Sequence, residues 1–159
     1  MDFTNLLEPA HVRCDVSARS RKHVLDLVSE QLAAASGGAV SAAEVFDALV
    51  SRERLGCTAL GGGVAMPHGR VAGLSAPVGV FLRLREAVDF DTGEDQPVDL
   101  VFGLLVPEAA PPGCAAALGD LAERFRRSEF RRQVREARDA RAVHALLAAP
   151  RSTDAAAHA

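Results

Sequence analysis

The chain has no tryptophan and no tyrosine, and its seven phenylalanines leave the aromatic fraction at 4%. Without those rings there is no Tyr or Trp platform on which sugars or unpaired bases stack, which argues against carbohydrate and single-stranded nucleic-acid binding. A basic excess is also missing. The formal net charge is −3 and the isoelectric point about 5.9, so the chain as a whole has no electrostatic preference for nucleic acid. The longest apolar run, around Leu100 to Val106, contains Gly103 and falls far short of the roughly 20 residues that span a bilayer. No membrane insertion is expected. The first residues, Met1-Asp2-Phe3-Thr4-Asn5, offer neither a basic start nor an apolar core, so no secretory leader is expected and the protein is expected in the cytoplasm. Cys14, Cys57 and Cys114 are odd in number and lack CxxC or Cys/His ligand spacing, the pattern of free thiols. HExxH is absent, and no Gly-Lys-Ser/Thr follows the glycines, which excludes a P-loop.

What is present is an ordinary globular composition. The 159 residues are 48% hydrophobic and 25% charged, with a mean hydropathy of +0.08. A chain of this length buries roughly two-thirds of its unfolded surface in one core. The expected organisation is one mixed α/β domain over residues 1–150, with 151–159 as a flexible C-terminal tail. No internal repeat or linker interrupts it.

Periodicity places the elements. Ser17 or Ser20 can cap a helix with Val24, Leu25, Val28 and Leu32 on one face, ending before Gly37-Gly38. Ser41 and Glu44 form a capping box for a second helix reaching about Arg54. Thr58 to Gly63 reads as loop, and Val64 to Met66 as a short strand closed by Pro67. Val78 to Leu84 alternates as a strand; Val98 to Val106, bounded by Pro97 and Pro107, reads as a more fully buried one. Three helices follow: Cys114 to Arg126, Ser128 to Ala137 capped by Ser128, and Ala140 to Ala148 capped by Asp139.

His68 is the leading candidate for chemistry. It follows Pro67, precedes Gly69 and lies just after the triple glycine 61–63, where backbone can approach a ligand closely. A lone loop histidine is by itself more often structural than functional, and the flanking residues change that balance. Gly61-Gly62-Gly63-Val64-Ala65-Met66-Pro67-His68-Gly69-Arg70 closely resembles the active-site signature of the fructose/mannitol-type IIA components of the bacterial phosphotransferase system. Arg52-Glu53-Arg54-Leu55-Gly56-Cys57-Thr58 resembles the family's arginine-bearing helix end and threonine turn. Phe90-Asp91 and the segment Asp95 to Pro107 resemble the nitrogen-regulatory branch more than its sugar-permease relatives.

The resemblance implies the IIA fold, an α/β domain with a mixed β-sheet flanked by helices, and a phosphoryl carrier. His68 would accept phosphate from a phosphorylated HPr-like carrier protein, and the phosphorylation state would signal to regulatory targets such as transporter or sensor proteins. An imidazole titrates near pH 6.5, so at neutral pH much of it is free base able to attack phosphorus in line. Guanidinium groups and the amides of a glycine-rich turn can neutralise the phosphoryl oxygens without a metal, and no cofactor is implied. Arg52 is the first choice for that guanidinium and Arg70 the second; Thr58, Gly63 and Cys114 join Arg70 as phosphate-binding candidates. The family usually carries a second histidine early in the helix after the Val-Pro-Glu loop, and that position falls on Cys114. A thiol cannot replace an imidazolium as a cationic donor. Two alternatives therefore stand beside the main reading: a sugar-specific IIA transport subunit, and a binding module independent of phosphorylation.

The remaining candidates are weaker. His11, His23 and His144 are scattered over separate elements and His158 lies in the tail. Between Glu123 and Arg141 eight arginines stand against four acids, most simply a solvated helix face and in the minority reading a surface for an anionic partner. Asp89, Asp91, Glu94, Asp95 and Asp99 form an acidic stretch consistent with a solvated loop.

Overall fold

The computed structural model describes residues 6–90, 96–109 and 113–149. After a 3-10 turn at Pro9–His11, strand β1 (Val12–Val16) leads to helices α1 (Arg21–Ala35) and α2 (Ala42–Leu55). Strands β2 (Ala59–Gly61), β3 (Val64–Ala65), β4 (His68–Val71), β5 (Val78–Val88) and β6 (Val98–Pro107) follow, then helices α3 (Cys114–Arg126), α4 (Ser128–Glu136) and α5 (Ala140–Ala148). The caps explain where several helices begin. Ser20 accepts the His23 N–H at 3.1 Å, and Asp139 accepts the Ala142 N–H at 2.8 Å. Ser41 and Glu44 form the reciprocal box, and the Ser41 N–H and hydroxyl hold the Glu44 carboxyl below its ordinary value. Ser128 is not a cap: Arg127 occupies that position without a side-chain bond, and Ser128 is the first helical residue.

The six strands make one mixed sheet in the order β1-β5-β6-β3-β2, with β4 also paired to β6. β1 runs parallel to β5, and β5 antiparallel to β6. β3 and β4 both run parallel to β6, in one unbroken register from Val64 opposite Leu100 to Val71 opposite Pro107. Pro67 has no N–H to give, yet its carbonyl accepts the Leu104 N–H at 3.0 Å, so pairing continues through it. His68 therefore opens a strand instead of lying in a loop. β2 reaches only as far as Thr58, which accepts the Met66 N–H at 3.0 Å, and beyond it β4 is an edge on which proline is tolerated.

Both sheet faces are covered. Val24, Val28 and Leu32 of α1 with Val45 and Leu49 of α2 pack on Val80, Leu82 and Val101. Leu121, Phe125, Val134, Val143 and Leu147 of α3 to α5 pack on Phe81, Leu100 and Phe102. The few aromatic rings are spent here: Phe81 stacks on Phe125 at 6.1 Å, and Phe81, Phe90, Phe102 and Phe125 are fully buried. α1 crosses β6 at Gly103, where a Cβ would stand 2.5 Å from Val28 Cγ1 and 3.1 Å from Val80 Cγ2. Both neighbours are buried with nowhere to move. Gly103→Ala is expected to lower stability by about 1–3 kcal/mol through overpacking, read as a lower urea midpoint at unchanged m.

Several arginines close helix ends, where carbonyls lack helical partners. Arg52 donates to Gly56 O at 2.8 Å after α2, and Arg131 to Phe125 O at 2.8 Å and Arg126 O at 2.9 Å after α3. Arg83 reaches Val134 O at 3.0 Å and Ala137 O at 2.6 Å after α4, and Arg124, from inside, donates to Leu147 O in α5 at 3.3 Å. The arginine-rich segment is thus not simply a solvated face. Arg135 forms a fork with Asp99, 2.8 Å at its closest, and also bonds Gly62 O. Asp99 is accordingly paired, while Asp91, Glu94, Asp95 and the tail from 151 lie outside the described residues.

Candidate functional site

A cleft of about 410 Å³ lies over the β4 edge, between α2 and the start of α3. Ala48, Ser51, Arg52 and Leu55 form one wall, Cys114, Ala115 and Leu118 the other, and His68, Gly69, Arg70, Leu104 and Val106 the floor. α2 comes this close because position 69 has no side chain: a Cβ there would stand 3.1 Å from the Ala48 Cβ.

His68 is half-buried, and its Nδ1 lies 2.8 Å from Met66 O. A carbonyl oxygen only accepts, so Nδ1 carries the proton and donates. In the neutral ring the lone pair is then on Nε2. Arg52 lines the cleft while one of its N–H groups holds Gly56 O, which leaves the rest of its donor fork unspent in that bond. Arg70 is exposed at the rim, and Cys114 is buried in the wall.

The structure thus brings His68, Arg52, Arg70 and Cys114 together, and it places Thr58 and Gly63 elsewhere. The Thr58 hydroxyl and N–H are both given to the buried Glu53 carboxylate, the N–H at 3.2 Å. Gly63, at φ 83°, turns the chain between β2 and β3 and accepts the Asp99 and Leu100 N–H groups at 3.0 Å. It lines a different hollow with Cys57, Leu60 and Gln96.

Sequence reasoning missed two features of the cleft. Ser51 adds a hydroxyl beside Arg52, a position that only the phase of α2 could have revealed. The first turn of the 13-residue α3 follows Gly113, which supplies no side-chain cap, and it places Cys114 and Ala115 in the cleft wall. Outside the cleft, His144 Nε2 bonds Leu7 O at 2.8 Å and His23 Nδ1 accepts the Arg19 N–H at 3.1 Å, both structural uses. Burial pushes the Cys14 thiol above its ordinary value, against the opposing pull of Arg83. Among the described residues no group of three or more His, Cys, Asp or Glu is placed to hold a metal ion, and no helix is long and apolar enough to cross a membrane.

A mixed sheet covered on both faces, with a strand-borne histidine and an arginine over one edge, is the arrangement of a phosphotransferase-system IIA domain. The family model described as phosphoenolpyruvate-dependent sugar phosphotransferase system, EIIA 2, matches residues 5–149, and the chain belongs to that family. Within it, the nitrogen regulatory protein of Bradyrhizobium diazoefficiens is 38% identical over 155 residues, 98% of this chain and 100% of the relative. The crystal structure of nitrogen regulatory protein IIA-Ntr from Neisseria meningitidis superposes with a TM-score of 0.84 at 38% identity, covering 91% of this chain and 98% of that one. The mannitol IIA structure from Escherichia coli gives 0.70 at 25% identity, over 86% of this chain and 95% of that one.

Proposed function

We propose that this protein is a regulatory phosphoryl carrier of the cytoplasm, which takes a phosphoryl group onto His68 Nε2 from a phosphorylated HPr-like protein and presents that state to transporter or sensor targets. The observation that carries the reading is the Nδ1–H bond to Met66 O, because in the neutral ring it leaves the lone pair on Nε2, and the ring lines a cleft that Arg52 and Arg70 line as well. In the transfer, Nε2 attacks phosphorus as the donor's N–P bond breaks, and the donor imidazole leaves with that electron pair. The acceptor ring becomes cationic while phosphorus is bound. The Met66 carbonyl, already accepting from Nδ1, stabilises that charge without taking the proton. Arg52, Arg70 and the first-turn amides of α3 supply donors to the phosphoryl oxygens. Greater likeness to nitrogen regulatory proteins than to the mannitol subunit supports the regulatory role over sugar transport. The test is incubation with phosphoenolpyruvate, the first enzyme of the system and the HPr-like carrier. Stoichiometric, acid-labile and alkali-stable label is expected; absence of label overturns the reading.

Cys114 favours a second reading, a binding module that works without phosphorylation, because a thiol stands where the family's second imidazole is usual. If α3 amides and arginines do not fully replace that donor, Cys114→His should speed uptake or lengthen the life of phosphorylated His68 by an amount worth about 1–3 kcal/mol, the scale of one charge-assisted hydrogen bond. Label retention measured over time in both proteins decides. Efficient wild-type transfer that Cys114→His does not alter would show that the amides and arginines suffice.

A further inference from the structure

Glu53 lies one residue beyond Arg52 on α2 but turns inward, and its side chain is 4% exposed. Three donors converge on its carboxylate: the Thr58 N–H, the Thr58 hydroxyl and Arg21 Nη2, the last at 2.9 Å. Arg21 also covers the Phe90 ring at 5.7 Å. Thr58, itself buried, accepts the Met66 N–H on its carbonyl at 3.0 Å. The Met66 carbonyl in turn receives His68 Nδ1–H at 2.8 Å. The Met66–Pro67 unit has little freedom of its own. A residue before proline is confined to extended backbone, and the Pro67 carbonyl is tied to the Leu104 N–H. Besides the Met66 side chain, which is buried in the core, the unit is anchored by Thr58, and Thr58 is held by Glu53.

We infer that Glu53 is a positioning residue for His68: through Thr58 and Met66 it aims the carbonyl that selects the Nδ1–H tautomer and turns Nε2 toward the cleft. The inference rests on the reading of His68 as the phosphoryl acceptor for its functional meaning, but its structural content stands alone. A carboxylate is suited to the task because Thr58 offers two donors to it while Arg21 needs the opposite charge. The neutral isostere has one acceptor oxygen and an NH2 group, which faces a donor whichever way it is turned.

The test uses the full chain labelled with 15N-histidine. In the wild-type protein, at a pH where the ring is neutral, His68 is expected to show a protonated Nδ1 and an unprotonated Nε2. In Glu53→Gln the two 15N shifts should move toward each other as tautomers mix. The uptake kcat should fall about tenfold at an unchanged KM for the phosphorylated carrier, since the nucleophile is misaimed and the docking surface is intact. Arg21→Ala is the control. It removes the ion pair and its stabilisation but leaves both Thr58 bonds, so His68 shifts should stay at wild-type values. Unchanged His68 shifts in Glu53→Gln, or equal movement in Arg21→Ala, would reduce Glu53 to a structural residue and overturn the inference. Wild-type protein that takes up no label, with the Glu53→Gln shifts moving as expected, would sink the acceptor reading and leave the positioning role standing.

Discussion

His68→Ala is expected to take up no phosphoryl label from the phosphorylated carrier and to remain folded. The loss should be complete, because the described residues put no second imidazole in the cleft: His144 and His23 are engaged elsewhere, and Cys114 and Ser51 do not form the acid-labile N–P bond. Removing the ring costs the fold only the bond to Met66 O on a half-buried side chain, which is about 1 kcal/mol or less once the carbonyl regains water. Intact melting with no label is therefore the outcome that assigns the acceptor. Label on His68→Ala at the wild-type rate would move the acceptor to another residue. His68→Gln refines the point, since an amide can keep a donor on Met66 O while lacking a nucleophilic nitrogen, and it too should stay unlabelled.

Much of the fold was legible because its signals are local. Ser20, the Ser41–Glu44 box and Asp139 announce helix starts through side-chain geometry that any helix requires. The alternation Val78 to Leu84 is legible for the same reason, each face being committed to one buried cluster. What the residues concealed was pairing between distant segments. Pro67 looks like a strand end, and only the register with β6 shows that the strand resumes at His68. β1 was missed although Val12, Cys14 and Val16 alternate with Arg13 and Asp15, because one short edge strand with Asp15 at φ 57° carries too little pattern to stand out.

The site divided along the same line. His68, Arg52, Arg70 and Cys114 meet in one cleft, and they were picked out by motif resemblance, which already encodes tertiary proximity. Thr58 and Gly63 sit in the same motifs but are not among the residues lining that cleft. One anchors the turn to Glu53 and the other supplies a left-handed conformation at φ 83°, and nothing in their chemistry distinguishes a phosphate donor from a backbone support. The run of arginines is mostly the solvated face its sequence suggests, with Arg126, Arg127, Arg132, Arg135, Arg138 and Arg141 exposed. What it concealed is that Arg124 and Arg131 are spent on helix carbonyls and that Arg135 holds Asp99, contacts made with residues far away or in the preceding helix.

Arg52→Ala is expected to slow phosphoryl uptake by more than tenfold, corresponding to about 2–4 kcal/mol at the transition state if its fork meets the developing charge on the phosphoryl oxygens. The structure gives Arg52 two tasks, and the variant separates them. Its bond to Gly56 O closes α2, and losing that bond at an exposed helix end costs about 0.5–1.5 kcal/mol of stability. Its place in the cleft wall beside His68 is the functional task. Arg52→Lys sharpens the distinction: it keeps the positive charge but not the planar fork that can hold Gly56 O and a phosphoryl oxygen together. Uptake in the lysine variant should fall between wild type and Arg52→Ala, with melting close to wild type. Rapid-quench measurement of label transfer at saturating donor, alongside thermal melts, reads both quantities. A folded Arg52→Ala protein that transfers at the wild-type rate would confine Arg52 to capping α2 and leave charge neutralisation to Arg70 and the α3 amides.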